Sequence, residues 1–329
     1  MKVAIVGAGL TGATLARELD ASNIAVSVFD KARGAGGQCS TRRSEEGVFD
    51  HGAPYFTVSS PHFLEQVRAW EQAGVVSAWQ PKVVCSSSFG LVSARATSIR
   101  YLGIPGMNEL CKQQLGELAP QFSCRVAQIS YEDDRWKLES EDGQDLGHFD
   151  ALVLTVPPAQ AAALCSPFPE YVDELCAMRT QSVWAAMLCF EEPLATSCDE
   201  IVFEKGPLAK AIRNSSKPNR NPGENWVLHA SHDWTAENLN LTKDESAEVL
   251  WETFRAALGI EDRRPAKLMG HRWLYAQPYQ QADYQPLVCE KRRLMATGSY
   301  TRSGTLEGAW LSAQRAAEEI KEWNSAAAP

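Results

Sequence analysis

The chain has 329 residues, enough for about two domains and a sizeable core. Its apolar share of 44% and charged share of 22% are those of an ordinary globular protein, and a formal net charge of −9 argues against a general binder of nucleic acid or of anionic membrane surfaces. No apolar stretch is long enough to span a bilayer, and "MKVAIVGAG" enters a strand at once with no cleavage site, so neither an anchor nor a signal peptide is expected. Nine scattered cysteines, never in a C-x-x-C pair, point to reduced thiols and a cytoplasmic location. No Cys/His cluster has metal-ligand spacing, so no metal is expected.

The first forty residues predict strand, tight turn, helix, strand. Val3 to Val6 is a short apolar run rich in β-branched residues. Gly7, Gly9 and Gly12 form G-x-G-x-x-G, with Leu10 and Thr11 inside it, and Leu15 and Leu19 then give a helical apolar face. "IAVSVF" is the second strand, ended by Asp30. Such glycines allow close backbone approach to a pyrophosphate at a helix N-terminus, and the acid accepts hydrogen bonds from ribose hydroxyls. An acid there disfavours a 2′-phosphate, so the nucleotide expected is FAD or NAD rather than NADP. A second cluster follows at once: Lys31, Arg33, Gly34, Gly36 and Gly37. NAD alone does not need it. FAD does, because the chain must follow that cofactor past its pyrophosphate.

Further along, "FSCRVAQISYE", "RWKLES" and "DALVLTV" read as strands, as do "SVWAAMLCFEE" and "WVLHASHDW". "RNSSKPNRNPGEN" is polar and rich in turn formers, so it reads as a loop. Leu294 to Thr297 is a short strand, Gly298 to Gly304 a turn-rich loop, and Leu306 to Ile320 an amphipathic helix. The N-terminus of that helix, at Leu306 and Glu307, can aim N–H groups at a flavin edge or a phosphate, the other reading being an ordinary packing helix at the end of the sheet.

"DKARGAGGQCST" followed by "VFDHGAPYFTV" resembles the flavin-containing amine oxidase superfamily, and the second piece is similar to its renalase branch. The resemblance recurs in "IRYLGIPGMNELCKQQL", "FDALVLTVPPAQAAAL", "WVLHASHDWTAENL", "HRWLYAQP" and "ATGSYTRSGTLEGAWLSAQRAAEEI", in the family's order. It implies an α/β fold: a Rossmann-like FAD-binding domain, discontinuous over 1–60, 100–165 and 265–329, and a sheet-containing substrate domain over 61–99 and 166–264. It implies cofactor contacts at Gln38, at Gly52, Ala53 and Pro54, at Gly298 and Ser299, and at Val126, whose backbone amide would meet the adenine. No cysteine or histidine stands in a recognisable linkage motif, so FAD is expected to be noncovalent. Three positions depart from the family pattern. Gln38 stands where Arg is usual, Ser299 where Asp is usual, and Thr305 where Arg is common. Gln38 is expected to hydrogen-bond the pyrophosphate without charge, and FAD binding to be retained but weaker.

The resemblance implies an oxidase of 2- or 6-dihydro-NAD(P), with hydride transfer to flavin N5 and O2 reduced to hydrogen peroxide. Hydride transfer needs no strong base, only a flat slot and a seat for the nucleotide. Tyr55 and Phe56 are candidates for that slot by resemblance, with Trp184, Trp273, Tyr275 and Tyr300 beside them. For any single aromatic, core packing is the commoner role. His232 is a candidate substrate contact, and Arg95 and Asn214 are candidates for a phosphate or amide. Three other readings stay open: oxidation of small amines, which would need an aromatic cage and commonly a lysine near the flavin; flavin or nucleotide binding without turnover; and a plain NAD-dependent dehydrogenase, which leaves "DHGAPYF" and "LEGAW" unexplained. The partners expected are a small-molecule substrate and O2; the sequence does not indicate an oligomeric state.

Overall fold

The computed structural model describes residues 1–326 except 46, 88–89, 95–97 and 280–281. The chain forms two compact units, each built from separated segments. The first comprises Met1–Gly37, Leu110–Thr180 and Gln277–Pro329; the second comprises Gln38–Glu109 and Gln181–Ala276. Residues 38–60, 100–109 and 265–276, expected with the cofactor domain, fall in the second unit, and residues 166–180, expected with the substrate domain, fall in the first.

The first unit is a Rossmann-like α/β layer structure. Its five-stranded sheet runs in the order Leu287–Cys289, Leu294–Ala296, Ala151–Leu154, Lys2–Val6, Ala25–Phe29. All neighbours pair in parallel except the first two. Val3, Ala4 and Ile5 are fully buried, as are Leu152, Val153 and Leu154, because a parallel strand is covered on both faces and its sequence need not alternate. The helix Leu10–Asp20 follows the first strand, and Thr11 Oγ1 donates to Ala309 O at 3.0 Å in the long Leu306–Ala326 helix. A three-stranded antiparallel sheet, Val126–Glu132, Arg135–Ser140 and Asp145–Phe149, packs Trp136, Leu138 and Phe149 into the same core.

The second unit is built on a seven-stranded sheet in the order Lys267–Pro278, Thr180–Phe190, Glu224–Ala230, Leu208–Arg213, Glu200–Phe203, Val83–Ser87, Gly90–Ala94. One face is apolar and covered by the Lys243–Leu258 helix: Trp184, Ala186, Leu188, Trp226 and Leu228 pack with Leu250, Trp251 and Phe254. That helix starts at a capping box between Thr242 and Glu245 and stops at Gly259 in the left-handed conformation. The opposite face carries the alternate residues of the same strands. Strand alternation turns Met187, Val227 and His229 away from the helix, and Met187 and Val227 pack with Phe49. Among the described residues no helix is long and apolar enough to cross a membrane.

Candidate functional site

The nucleotide loop of the first unit has the shape its glycines require. Gly7 sits at φ +115°, where a side chain is strained. A Cβ on Gly12 would lie 1.9 Å from Gly7 O. The helix Leu10–Asp20 begins after Gly9 with no side-chain cap, and its first intrahelical bond runs from Ala13 N to Gly9 O. Its earlier N–H groups therefore lack an intrahelical acceptor, and the backbone leaves no bulk in front of them. That donor set fits an anionic pyrophosphate.

Asp30 follows the second strand and ties the turn together. Its Oδ2 accepts from Ala8 N at 2.6 Å and its Oδ1 from Ala32 N at 2.7 Å. Each oxygen keeps lone-pair capacity for ribose hydroxyls. The backbone of residues 121–124 runs beside it, with Asp30 N donating to Gln121 O and Cys124 N donating to Asp30 O. Val126 opens the next strand just beyond that segment.

The second glycine cluster packs on the first. Gly36 N donates to Ala8 O at 3.1 Å, Gly9 and Gly36 form a parallel bridge, and a Cβ on Gly37 would lie 3.2 Å from Gly9 Cα. Gly36 and Gly37 are glycine because two backbones meet there. Gly34 faces open space, Arg33 is exposed, and Lys31 Nζ donates to Gln160 Oε1.

At the C-terminal motif, Thr305 caps the final helix through Gly308 N, a 3.0 Å bond, which explains a hydroxyl residue there. Gly298 is buried, Ser299 half-buried in a short 3-10 turn, and Glu307 buried on the first helical turn. Tyr300 departs from expectation. It is 5% exposed inside the apolar core of the first unit, and among the described residues its hydroxyl has no partner.

In the second unit, Gln38 also departs from expectation. Its amide donates to Tyr275 O at 2.9 Å and to Ala276 O at 2.8 Å, which uses both N–H hydrogens and leaves none for a pyrophosphate. Its own carbonyl accepts from Ala53 N at 2.7 Å. A Cβ on Gly52 would lie 2.1 Å from that carbonyl, so the Gly52–Ala53–Pro54 loop hugs residue 38. Gln38 therefore joins this loop to the Lys267–Pro278 strand.

That strand presents His271, Trp273 and Tyr275 on one face, half-buried, while Arg272 and Leu274 face outward. His51 stands against them: its ring centroid is 4.7 Å from His271 and 5.1 Å from Trp273, and His271 and Trp273 are 4.6 Å apart. Trp273 Nε1 donates to His51 O at 2.9 Å, and His229 Nε2 lies 3.1 Å from the same oxygen. Burial lowers all three imidazoles, His51 to about 3 and His229 and His271 to about 4. The cluster is neutral at physiological pH. Sequence reasoning did not single out His229 or His271; only their alternation within strands marks them.

These values carry a pH dependence. The unfolded chain binds protons to these histidines below pH 6.5, and the folded chain resists until about pH 3 to 4. Stability is therefore complete above pH 6.5 and falls as pH drops. The buried His51 and His229 each cost on the order of 2 kcal/mol at pH 5. The urea midpoint should fall between pH 7 and 5, and His229→Gln should flatten that slope; an unchanged slope would contradict the buried neutral cluster.

Asp50 anchors the loop from behind. It is fully buried, and its Oδ2 accepts from Lys217 Nζ at 3.0 Å and Arg220 Nη2 at 2.8 Å. Its Oδ1 accepts from Thr41 Oγ1 and Met107 N. Asn214, expected to meet a ligand, is wholly buried here: Nδ2 donates to Val48 O and Oδ1 accepts from Lys217 Nζ. Of "RNSSKPNRNPGEN", expected as a loop, Arg213 ends one strand, Asn214–Ser216 is a 3-10 turn and Glu224 begins the next strand; the connection between turns Lys217 and Arg220 inward.

Trp184 is also a core residue, 1% exposed, because the strand's alternation points it at the helix-covered face. Phe56 is 5% exposed and stacks on Tyr101. Tyr55 is half-buried and donates to Glu200 Oε1 at 2.9 Å. His232 Nδ1 lies 3.3 Å from Ser182 O, on the first turn of the His232–Glu237 helix. Arg95 lies outside the described residues.

A family model described as flavin containing amine oxidoreductase matches residues 73–321, and one described as an NAD(P)-binding Rossmann-like domain matches residues 5–70. The chain belongs to the flavin-containing amine oxidoreductase family, and FAD is its cofactor. Among solved structures it is similar to cyclohexylamine oxidase from Brevibacterium oxydans IH-35A, at 12% identity and a TM-score of 0.76, over 98% of both chains. It is similar to reduced UDP-galactopyranose mutase at 12% identity and TM-score 0.76, over 98% of this chain and 94% of that one. It is also similar to wild-type putrescine oxidase bound to putrescine, at 13% identity and TM-score 0.71, over 98% of this chain and 99% of that one. At such identities the likeness is one of fold.

Proposed function

We propose that this protein is a renalase-like oxidase of isomeric dihydronicotinamide dinucleotides, 2- or 6-dihydro-NAD(P), which it returns to NAD(P)+. The observation that carries this reading is the neutral ring face of His51, His271 and Trp273 beside the Gly52–Ala53–Pro54 loop. A dihydropyridine is flat and uncharged, and such a face can stack on it without desolvating an ion. Bound FAD supplies the two-electron acceptor, which O2 regenerates with formation of hydrogen peroxide. The chain's share is to orient the substrate ring, hold the loop through Gln38 and Asp50, and keep water from the rings. Gly7, Gly9, Gly12 and Asp30 would hold the nucleotide half of FAD, as their geometry fits. Nine free cysteines support a reducing, cytoplasmic setting.

Oxidation of small amines is the second reading, and one residue favours it. Lys210 is a half-buried lysine on the same face of the sheet, opposite His229. Anaerobic mixing separates the two. Bleaching of the flavin by dihydronicotinamide isomers and not by cyclohexylamine or putrescine is the expected result. Bleaching by the amines alone would replace this reading with the second, and bleaching by neither would leave a binding protein.

A further inference from the structure

Lys210 has no carboxylate partner among the described residues. Its hydrogen-bond partner is Tyr55 Oη, at a long 3.5 Å. Tyr55 gives its own proton to Glu200, so its oxygen turns a lone pair to the ammonium. Glu200, fully buried, is ion-paired with Arg100. Arg100 and Lys210 both lie against the Tyr55 ring, with Arg100 Cζ 4.5 Å and Lys210 Nζ 5.3 Å from its centroid. The group thus holds two cations and one carboxylate, a surplus of one positive charge in a half-buried position. Leaving a cation uncompensated there is costly. Burial and the nearby Arg100 both push the Lys210 pKa down, which is the mark of that cost. A chain with net charge −9 also repels an anionic substrate unless some spot attracts it.

The position matters as much as the charge. Lys210 pairs across the sheet with His229, and His229 reaches His51 O. The charged spot therefore adjoins the neutral ring face. We propose that Lys210, assisted by Arg100, is an anion subsite that seats the pyrophosphate of a nucleotide substrate whose ring lies on His51 and Trp273. The pyrophosphate identity rests on the oxidase reading above; the anion site rests on the cation group alone.

The test uses the FAD-loaded protein and titration calorimetry with inorganic pyrophosphate and with ADP-ribose. The wild type should bind both, more weakly as salt rises. Lys210→Met, which keeps the apolar stem, should weaken both about tenfold or more, and Lys210→Arg should restore most of the affinity. An unchanged flavin spectrum shows that the Met variant is folded. Equal binding by wild type and K210M, or no binding by the wild type, overturns the subsite. Binding that depends on Lys210 in a protein that oxidises no dihydronicotinamide would keep the subsite and discard the oxidase reading. Turnover with an unchanged KM in K210M would do the reverse.

Discussion

Asp50→Asn is expected to destabilise the protein by about 3 to 5 kcal/mol, the range for removing one partner of a buried ion pair. The substitution is nearly isosteric, so lost packing does not enter. It leaves the basic side chains of Lys217 and Arg220, at 0% and 1% exposure, with no carboxylate. Arg220 keeps Gly103 O and Pro218 O, and Lys217 keeps Asn214 Oδ1, but these are neutral acceptors. An unfolding free energy, from denaturant titration, within about 1 kcal/mol of wild type would refute the arrangement. Acid should act in the same direction. Burial by itself would raise the Asp50 carboxyl, but Lys217 and Arg220 outweigh it and hold it down from 3.8 to about 2. This contribution is complete above about pH 4 and is lost as pH falls through 2. Because residue 50 leads directly into His51 and Gly52, D50N should also loosen the ring face, seen as a raised KM.

Gly12→Ala should cost the protein its flavin. In an exposed helix the change would stabilise by about 1 kcal/mol. Here the new methyl would stand 1.9 Å from Gly7 O and 2.7 Å from Thr155 Oγ1. The first contact is backbone, which no rotamer change relieves, so the helix must back away from the Gly7 turn. The visible flavin absorbance per protein is expected to fall at least tenfold, the loss of a few hydrogen bonds to a charged ligand. Gly34→Ala is the matched control. Nothing lies within 4 Å of a Cβ at that position, and full flavin content is expected. Full flavin content in G12A would show that the helix start does not approach the cofactor.

The nucleotide loop was legible because its chemistry is local. Glycine spacing, a β-branched strand and an acid at the strand end specify one turn, and the strands Lys2–Val6 and Ala25–Phe29 follow. The second unit's site was not, because its partners are remote. Gln38 looked like a weakened phosphate ligand; its partners are 237 and 238 residues away. Trp184 was misplaced because "SVWAAMLCF" is apolar on both faces, so alternation shows that two faces exist but not which one a helix covers. Lys217 and Arg220 sit in a stretch whose polarity reads as solvent exposure, since composition cannot show a buried carboxylate 167 and 170 residues earlier in the chain. Lys210 and His229 were missed for the related reason that a lone charged or imidazole side chain in a strand carries no local signature.

The sheet of the first unit draws its strands from residues 2–29, 151–154 and 287–296. On the ribosome, the nucleotide loop therefore emerges long before the segments that brace it. Thr155, which bonds Gly7 O, follows about half a chain later, and Ala309, which receives Thr11, comes near the end. A nascent chain would expose an apolar, unpaired strand edge through most of its synthesis, the condition under which chaperones are recruited. Flavin capture is therefore expected only after the segments that bear Thr155 and Ala309 have been made, and FAD present from then on would stabilise the folded form by mass action.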